Sequence, residues 1–234
     1  HEPKLIIMRY NGNPDKKQET LALIGKGITF DSGGLCLKSS QGMLNMKSDM
    51  GGAAAIIGTM CAISAMKLKV NVVGVIAACE NMISGDAYHA GDIITTMSGK
   101  TIEVVNTDAE GRLTLCDAIH YAIEKEHADR IIDIATLTGA AVGALGTEIS
   151  AVITNNYPWL EQLKIAANFT GENIWQLPTY EDYKEHHGRK LNTKATPIRE
   201  AVVNLNENHK MEDLINLSQM LENDYQMKVL HIAI

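Results

Sequence analysis

The chain has 234 residues, of which 45% are hydrophobic and 5% aromatic, and its formal net charge at pH 7 is −7. This apolar share is sufficient for a buried, largely aliphatic core, either in one large domain or in a domain with an appendage. The acidic charge is spread along the chain and argues against nucleic acid as the main partner. No apolar run reaches the roughly 18 residues that a membrane span needs, so we expect no membrane partner.

The cysteines lie far apart, and none belongs to a C-x-x-C pair. This spacing favours reduced, packed thiols over a disulfide or zinc set, and it is typical of a cytoplasmic protein. The residues concerned are Cys36, Cys61, Cys79 and Cys116.

Apolar runs bounded by turn residues predict a series of strands, and segments with apolar residues at helical spacing separate them. An apolar run at residues 70–78 is typical of a central parallel strand covered on both faces. Strands that alternate with helices predict an α/β fold, with a mainly parallel or mixed central sheet flanked by helices on both faces. The predicted strands are residues 4–10, 21–24, 70–78, 101–105, 130–136, 149–153 and 229–234.

Two local patterns follow the strand predicted at residues 21–24. Gly25 and other nearby glycines allow the backbone to approach another group closely or to take a positive φ, and Lys26 in a G-K-G sequence is typical of a solvated loop. Met43, Met46 and Met50 recur at spacings of three and four. This recurrence favours core packing, with a pocket wall as the alternative.

The most distinctive stretch is residues 106–112, NTDAEGR, in which two carboxylates lie two positions apart. It follows an alternating, β-branched strand and precedes apolar residues at helical spacing. Asp108 and Glu110 therefore lie where a strand gives way to a helix, which is the end of an open α/β sheet at which sites are built. Taken alone, both acids could instead interact with the helix N-terminus.

Seven charged side chains fall at predicted strand ends or in the adjoining loops. Four are carboxylates, which would repel one another at a shared site unless cations were present. Two divalent ions sharing bridging carboxylates would meet this need, and zinc or manganese suits a site with an added nitrogen ligand. Each residue also has an ordinary explanation as a turn, cap or loop residue, and a phosphate site stays open. The residues are Lys26, Asp31, Lys38, Asp49, Asp108, Glu110 and Arg112.

These residues resemble the leucyl aminopeptidase family, dinuclear zinc peptidases that remove N-terminal amino acids. Residues 106–113 match the family signature NTDAEGRL at every position. The resemblance runs from about residue 4 to about residue 180 and implies a zinc-peptidase-like α/β fold. Further blocks similar to the family, in the same order, are residues 25–34, 35–38, 46–55, 80–85 and 135–140.

The resemblance implies a metallo-aminopeptidase, which hydrolyses the N-terminal amino acid from peptides by means of a water activated by two metals. Asp31 and Glu110 would bridge the two ions. Lys26 and Asp49 would complete the shell of one ion, and Asp108 that of the other. The ions would be zinc, with manganese or cobalt at an exchangeable site.

The remaining implied roles concern catalysis and substrate binding. Lys38 would be a catalytic electrophile, and Arg112 would be the catalytic arginine that holds a bicarbonate ion. Three residues match positions that shape the pocket for the substrate's first side chain, and a fourth lies where a backbone carbonyl helps to hold the substrate. The three are Met46, Thr136 and Gly139, and the fourth is Leu137.

The resemblance also predicts the domain organisation. Residues 1–180 would form the core of the catalytic domain, residues 181–234 a divergent C-terminal segment of the same domain, and the family's N-terminal domain would be absent. Because family members form hexamers, a homo-hexamer is implied. The alternatives to an active enzyme are a non-catalytic or truncated family member that acts as a scaffold or regulator, and a phosphate-binding α/β domain.

Overall fold

The computed structural model describes residues 2–16, 19–179 and 228–234. Within them, seven strands form one sheet and two form a separate hairpin. The strands are β1 (Lys4–Asn11), β2 (Thr20–Asp31), β3 (Asn71–Asn81), β4 (Ile93–Thr95), β5 (Thr101–Glu103), β6 (Arg130–Ala135), β7 (Ser150–Thr154), β8 (Ile174–Gln176) and β9 (Lys228–Ala233). The helices are α1 (Ser40–Met43), α2 (Gly51–Met66), α3 (Glu110–Glu124), α4 (Gly139–Leu145) and α5 (Tyr157–Thr170), with 3-10 turns at Pro14–Lys16, Met46–Ser48 and Thr107–Ala109.

The large sheet has the strand order β1-β3-β2-β6-β9-β7-β8. Strand β2 runs parallel to both β3 and β6, and β6 runs parallel to β9. Two pairs are antiparallel, β1 with β3 and β7 with β9. The sheet is therefore mixed, as predicted, but β3 is parallel to its neighbour on one side only, so its prediction as a wholly parallel strand was wrong.

Helices cover the sheet on both faces, because side chains along a strand point alternately to either side. Ala22 and Ile24 of β2 belong to a core cluster with Ile119 of α3. Leu23, which lies between them in the sequence, belongs to a second cluster with Ile56 of α2. Helices α2 and α3 thus lie on opposite faces of the central strands, which confirms the predicted layers.

Strand β2 runs without interruption from Thr20 to Asp31, so the prediction that it ends at residue 24 was wrong. Gly25 lies inside the strand, where a Cβ atom would come within 2.7 Å of the Cα of Ala53 in α2. Glycine is needed here for the close approach of helix and sheet. As a result Lys26 is a buried strand residue and not a solvated loop cation.

The hairpin β4–β5 confirms the turn predicted before the acidic stretch. Gly99 has a φ of 82° in that turn, a conformation that glycine adopts without strain. The strand predicted at residues 229–234 is also confirmed as β9, which lies between β6 and β7 in the sheet. The rest of the predicted segment 181–234 lies outside the described residues.

Two packing predictions were wrong. Met43, Met46 and Met50 are half-buried, because they flank the 3-10 turn beyond the edge of the sheet and not the sheet itself. The cysteines are free, as expected, but Cys61 is exposed on α2 instead of packed.

The helical stretch Ser40–Met66 spans 27 residues, and its most apolar window has a mean hydropathy of 1.4. By length and composition alone such a stretch could cross a membrane, although only 28% of that window is buried here. Turn and 3-10 residues interrupt it between α1 and α2, and Asp49 lies in that interruption. Ala53 and Met60 of α2 pack in the core cluster against the sheet, as in a core helix.

Candidate metal centre

Several elements bring charged side chains together at the carboxyl end of the central strands. Strand β2 and the loop after it supply three of them, the residue before α2 supplies one, and the start of α3 with its preceding 3-10 turn supplies two. This is the edge at which sites in α/β sheets form. The residues, in that order, are Lys26, Asp31, Lys38, Asp49, Asp108 and Glu110.

Lys26 lies between two carboxylates in the interior. Its Nζ atom is 2.8 Å from Oδ1 of Asp49 and 3.0 Å from Oε1 of Glu110, and it donates to the carbonyl oxygen of Thr136 at 3.1 Å. Burial by itself lowers the pKa of Lys26, but the two carboxylates outweigh burial and the pKa is raised. Without metal ions this side chain is therefore an ammonium ion.

Lys38 forms a second, more open ion-pair cluster. Its Nζ atom is 2.9 Å from Oδ2 of Asp31 and also contacts Oδ1 of Asp108. Burial lowers the pKa of Lys38, but the hydrogen bonds to both carboxylates raise it to about 12. Burial raises the pKa of Asp31, yet hydrogen bonds from Lys38, the Gly33 amide and Asn81 lower it overall. Burial dominates at Asp108 and raises its pKa.

Asp49 has an incompletely bonded carboxylate. Its Oδ1 atom accepts a hydrogen bond from Oγ1 of Thr136 at 2.7 Å and faces Lys26, whereas Oδ2 is buried and accepts no hydrogen bond from any described residue. Burial raises the pKa of Asp49 to about 6, although Lys26 and Thr136 act in the opposite direction.

One oxygen from each of Asp31, Asp108 and Glu110 lies within 4.8 Å of the others. Together with Asp49 they place four carboxylates against only two ammonium groups, so the cluster carries an excess of negative charge. Oxygen-rich clusters of this kind suit divalent cations.

Backbone and hydroxyl contacts hold the acidic segments in place. The side chain of Asn106 accepts a hydrogen bond from the Asp108 amide at 2.8 Å, which orders the turn before α3. Thr107 is fully buried, and its Oγ1 atom donates to the carbonyl oxygen of Gly33 at 2.7 Å and accepts from the Cys36 amide at 2.7 Å. The loop after β2 and the turn before α3 are thus joined directly.

A cavity of about 250 Å³ opens over these groups. The structure brings every predicted site residue to its wall, including Met46, for which a pocket wall had been the alternative to core packing. Further lining residues are Ser48, Asn106, Thr138, Val142 and Ile234. The predicted residues on the wall are Lys26, Asp31, Lys38, Met46, Asp49, Asp108, Glu110, Arg112, Thr136, Leu137 and Gly139.

Three residues behind the cavity were not singled out from the sequence. Asn81 donates to Asp31 and to the carbonyl oxygen of Thr107, and the hydroxyl of Tyr88 donates to the same carbonyl at 2.9 Å. A single Asn, Thr or Tyr at a strand end or in a loop has no distinctive spacing. The available signal was the position of Asn81 in the block at residues 80–85 that resembles the family.

These features define an α/β protein with an acidic, lysine-paired centre at the carboxyl edge of its sheet. The model of the cytosol aminopeptidase family, catalytic domain, matches residues 1–201, and the chain belongs to that family. It is 60% identical over 181 residues to a probable cytosol aminopeptidase of Clostridium perfringens, and 53% identical over 190 residues to one of Treponema denticola. These alignments cover 77% and 81% of the chain but only 37% and 40% of the relatives.

Solved structures agree with this assignment. The cytosol aminopeptidase from Coxiella burnetii superposes with a TM-score of 0.86 at 36% identity, covering 100% of this chain and 49% of that one. The bottromycin maturation enzyme BotP superposes with a TM-score of 0.82 at 32% identity, covering 98% of this chain and 47% of that one. The predicted zinc-peptidase-like fold is confirmed, and the chain spans less than half the length of its curated and structural relatives.

Proposed function

We propose that the chain is the catalytic part of a metallo-aminopeptidase that hydrolyses the N-terminal amino acid from peptides. The observation that carries this proposal is the convergence of four carboxylates and two lysines on one cavity, within a chain of the cytosol aminopeptidase family. The names of the relatives support the reaction class.

The residues present fit two divalent ions. The carboxylates outnumber the ammonium groups, Asp49 has a buried oxygen without a hydrogen bond from the described residues, and Lys26 can supply a nitrogen. Asp31 and Glu110 would bridge the ions, Lys26 and Asp49 would bind one ion, and Asp108 would bind the other. Zinc is the proposed metal, with manganese or cobalt at the exchangeable site.

Lys26 must lose its proton to become a ligand. Its pKa is raised because Glu110 and Asp49 surround it, and a nearby dication would reverse that influence. Metal binding should therefore release protons from the site. When bound, the ions would supply an activated water and Lewis acidity.

The remaining side chains divide the work of catalysis. Lys38 lies on the cavity wall with 18% of its side chain exposed, so it can donate to the oxyanion that forms when a peptide carbonyl is attacked. Arg112 would hold bicarbonate, because its planar guanidinium matches a bidentate anion, and the bound ion would serve as a general base.

The upper cavity wall would position the substrate. Met46, Thr136 and Gly139 would surround the first side chain, and the carbonyl oxygen of Leu137 would accept a hydrogen bond from the substrate's free amine. A buried carbonyl that needs an N–H donor favours a free N-terminus over a blocked one.

The proposal extends to the setting of the enzyme. We place it in the cytoplasm, supported by the names of its relatives. Residues 181–234 would belong to the same domain as residues 1–180, supported by the position of β9 between β6 and β7. A homo-hexamer is the proposed assembly, with peptides as the partners.

The test is hydrolysis of leucyl amide and other aminoacyl amides after addition of Zn²⁺, Mn²⁺ or Co²⁺, with size-exclusion chromatography of the same sample. We expect metal-dependent turnover that an N-acetyl group on the substrate abolishes. A folded hexamer that turns over no substrate with any of these metals would refute the enzyme and favour the scaffold or regulator.

A further inference from the structure

Asn81 lies behind the charged centre and is the last residue of β3. It is 5% exposed, and its Nδ2 atom lies 2.8 Å from Oδ1 of Asp31, 3.0 Å from the carbonyl oxygen of Thr107 and 3.4 Å from Oε2 of Glu110. A single amide group therefore donates toward the two carboxylates for which we propose bridging roles.

The backbone fixes Asn81 in this position. Asn81 pairs with Asp31 in the parallel register of β3 and β2. Its carbonyl oxygen accepts hydrogen bonds from the amide of Ser32 at 2.9 Å and from the hydroxyl of Ser32 at 2.7 Å. The side-chain amide is thus anchored to β2 before it reaches Glu110 on α3.

The chemistry of an amide suits this position. A lysine would add a cation beside the ions, and an aspartate would add a fifth carboxylate that has no donor for Asp31. A neutral –NH₂ group offers two hydrogens, so it can orient two carboxylates and leave their remaining lone pairs to metal ions. Hydrogen bonds from outside the ligand shell orient metal ligands in this way.

We propose that Asn81 is a positioning residue, which sets the orientation of Asp31 and Glu110 for bridging two divalent ions. This inference rests on the proposed function, because it requires that the centre binds metal. Loss of such an outer partner weakens metal affinity by about 10- to 100-fold. We expect a loss of that size when Asn81 cannot donate.

The chain offers a matched control at the other end of the same strand. Asn71 is the first residue of β3 and is 8% exposed, and its Nδ2 atom donates to the carbonyl oxygens of Asn13 at 3.0 Å and Lys16 at 2.9 Å. Asn81→Leu and Asn71→Leu each remove a buried amide of the same size, but only the first removes it beside the carboxylates.

The experiment compares the parent chain with these two variants and with the milder Asn81→Ser. Dissociation constants for Zn²⁺ and Co²⁺ are measured by competition with a chelator, below the unfolding midpoint of each variant. The visible absorption of bound Co²⁺ is recorded because it reports coordination geometry. We expect Asn81→Leu and Asn81→Ser to weaken affinity and change the Co²⁺ spectrum, whereas Asn71→Leu lowers the unfolding midpoint and leaves both unchanged.

The possible failures are distinguishable. Parent-like affinity and spectrum in a folded Asn81 variant would overturn the positioning role alone. An equal loss of affinity in Asn71→Leu would also overturn it, because general destabilisation would then account for the effect. Failure of the parent chain to bind any of these ions would overturn the metal centre and this inference together.

Discussion

Asp49 illustrates how burial sets the chemistry of a single side chain. Burial raises its pKa to about 6 from an ordinary value of 3.8, although Lys26 and Thr136 favour the charged form. Because the folded-state pKa exceeds the unfolded one, the folded chain binds more protons between about pH 4 and pH 6. Through this group the metal-free chain therefore loses stability as the pH rises across that window.

Replacing Asp49 with Asn removes this titration. We expect the unfolding midpoint of the metal-free parent to fall relative to that of Asp49→Asn as the pH rises from about 4 to about 6, and to run parallel to it at higher pH. Thermal unfolding in the presence of a chelator measures the difference. Asp86→Asn, at an exposed position, is the control, and a constant offset between parent and Asp49→Asn would contradict the prediction.

Lys38 is the side chain on which the proposed catalysis depends most directly. Lys38→Ala should lower kcat for leucyl amide by about 10²-fold or more, as the loss of an oxyanion donor does in other enzymes. The matched control is Lys47→Ala, an exposed lysine in the nearby 3-10 turn. If metal-loaded Lys38→Ala turned over this substrate at the parent's rate, the role assigned to Lys38 would be wrong.

At the scale of elements, the site depends on how closely α2 packs on the sheet. A Cβ atom at Gly52 would lie 1.9 Å from the carbonyl oxygen of Ile134 on β6 and 3.0 Å from the amide nitrogen of Lys26 on β2. Gly58 in the same helix has nothing within 4 Å of the equivalent point. The two glycines therefore separate close packing from helix propensity.

Gly52→Ala should destabilise the fold by about 1–3 kcal/mol, because α2 must move away from β6 to accommodate the methyl group. Gly58→Ala should stabilise it by about 0.5–1 kcal/mol, because alanine favours the helix and meets no obstacle. Urea unfolding of both variants gives these values. Equal effects of the same sign would show that the approach of helix and sheet does not limit the side chain at Gly52.

The same contact explains where sequence-based prediction of the fold succeeded and failed. The alternation of strands and helices and the hairpin before residue 106 were predictable, because period and turn residues are local signals. Gly25 was taken as part of a loop, since the helix that requires its missing side chain lies 28 residues further along the chain at Ala53. The insertion of β9 between β6 and β7 likewise depends on long-range pairing.

The site was more predictable than the fold around it. Composition and strand ends gave only seven charged residues with alternative explanations, and the resemblance at residues 106–113 selected among them. The structure places all the predicted residues on one cavity. Asn81 was missed, because an amide that orients two carboxylates is recognisable only from the distances in the folded chain.

At the scale of the whole molecule, the four carboxylates make the metal-free fold carry a local excess of negative charge. Asp31, Asp108 and Glu110 place oxygens within 4.8 Å of one another, and only Lys26 and Lys38 offset the cluster's charge. Ions that bind the folded chain and not the unfolded one stabilise it by mass action, by about 2.7 kcal/mol at a free concentration 100 times the dissociation constant.

We therefore expect a chelator to lower the unfolding midpoint of the chain and Zn²⁺ or Mn²⁺ to raise it in a concentration-dependent way. Mg²⁺ should do less, because it prefers all-oxygen shells whereas Lys26 supplies nitrogen. Asp31→Asn should lose most of the metal-dependent increment, since it removes a proposed bridge between the ions, whereas Asp15→Asn at an exposed position should retain it. An increment of equal size in both variants would place the stabilising ions outside this centre, and the charge excess at the sheet edge would then need another cation to offset it.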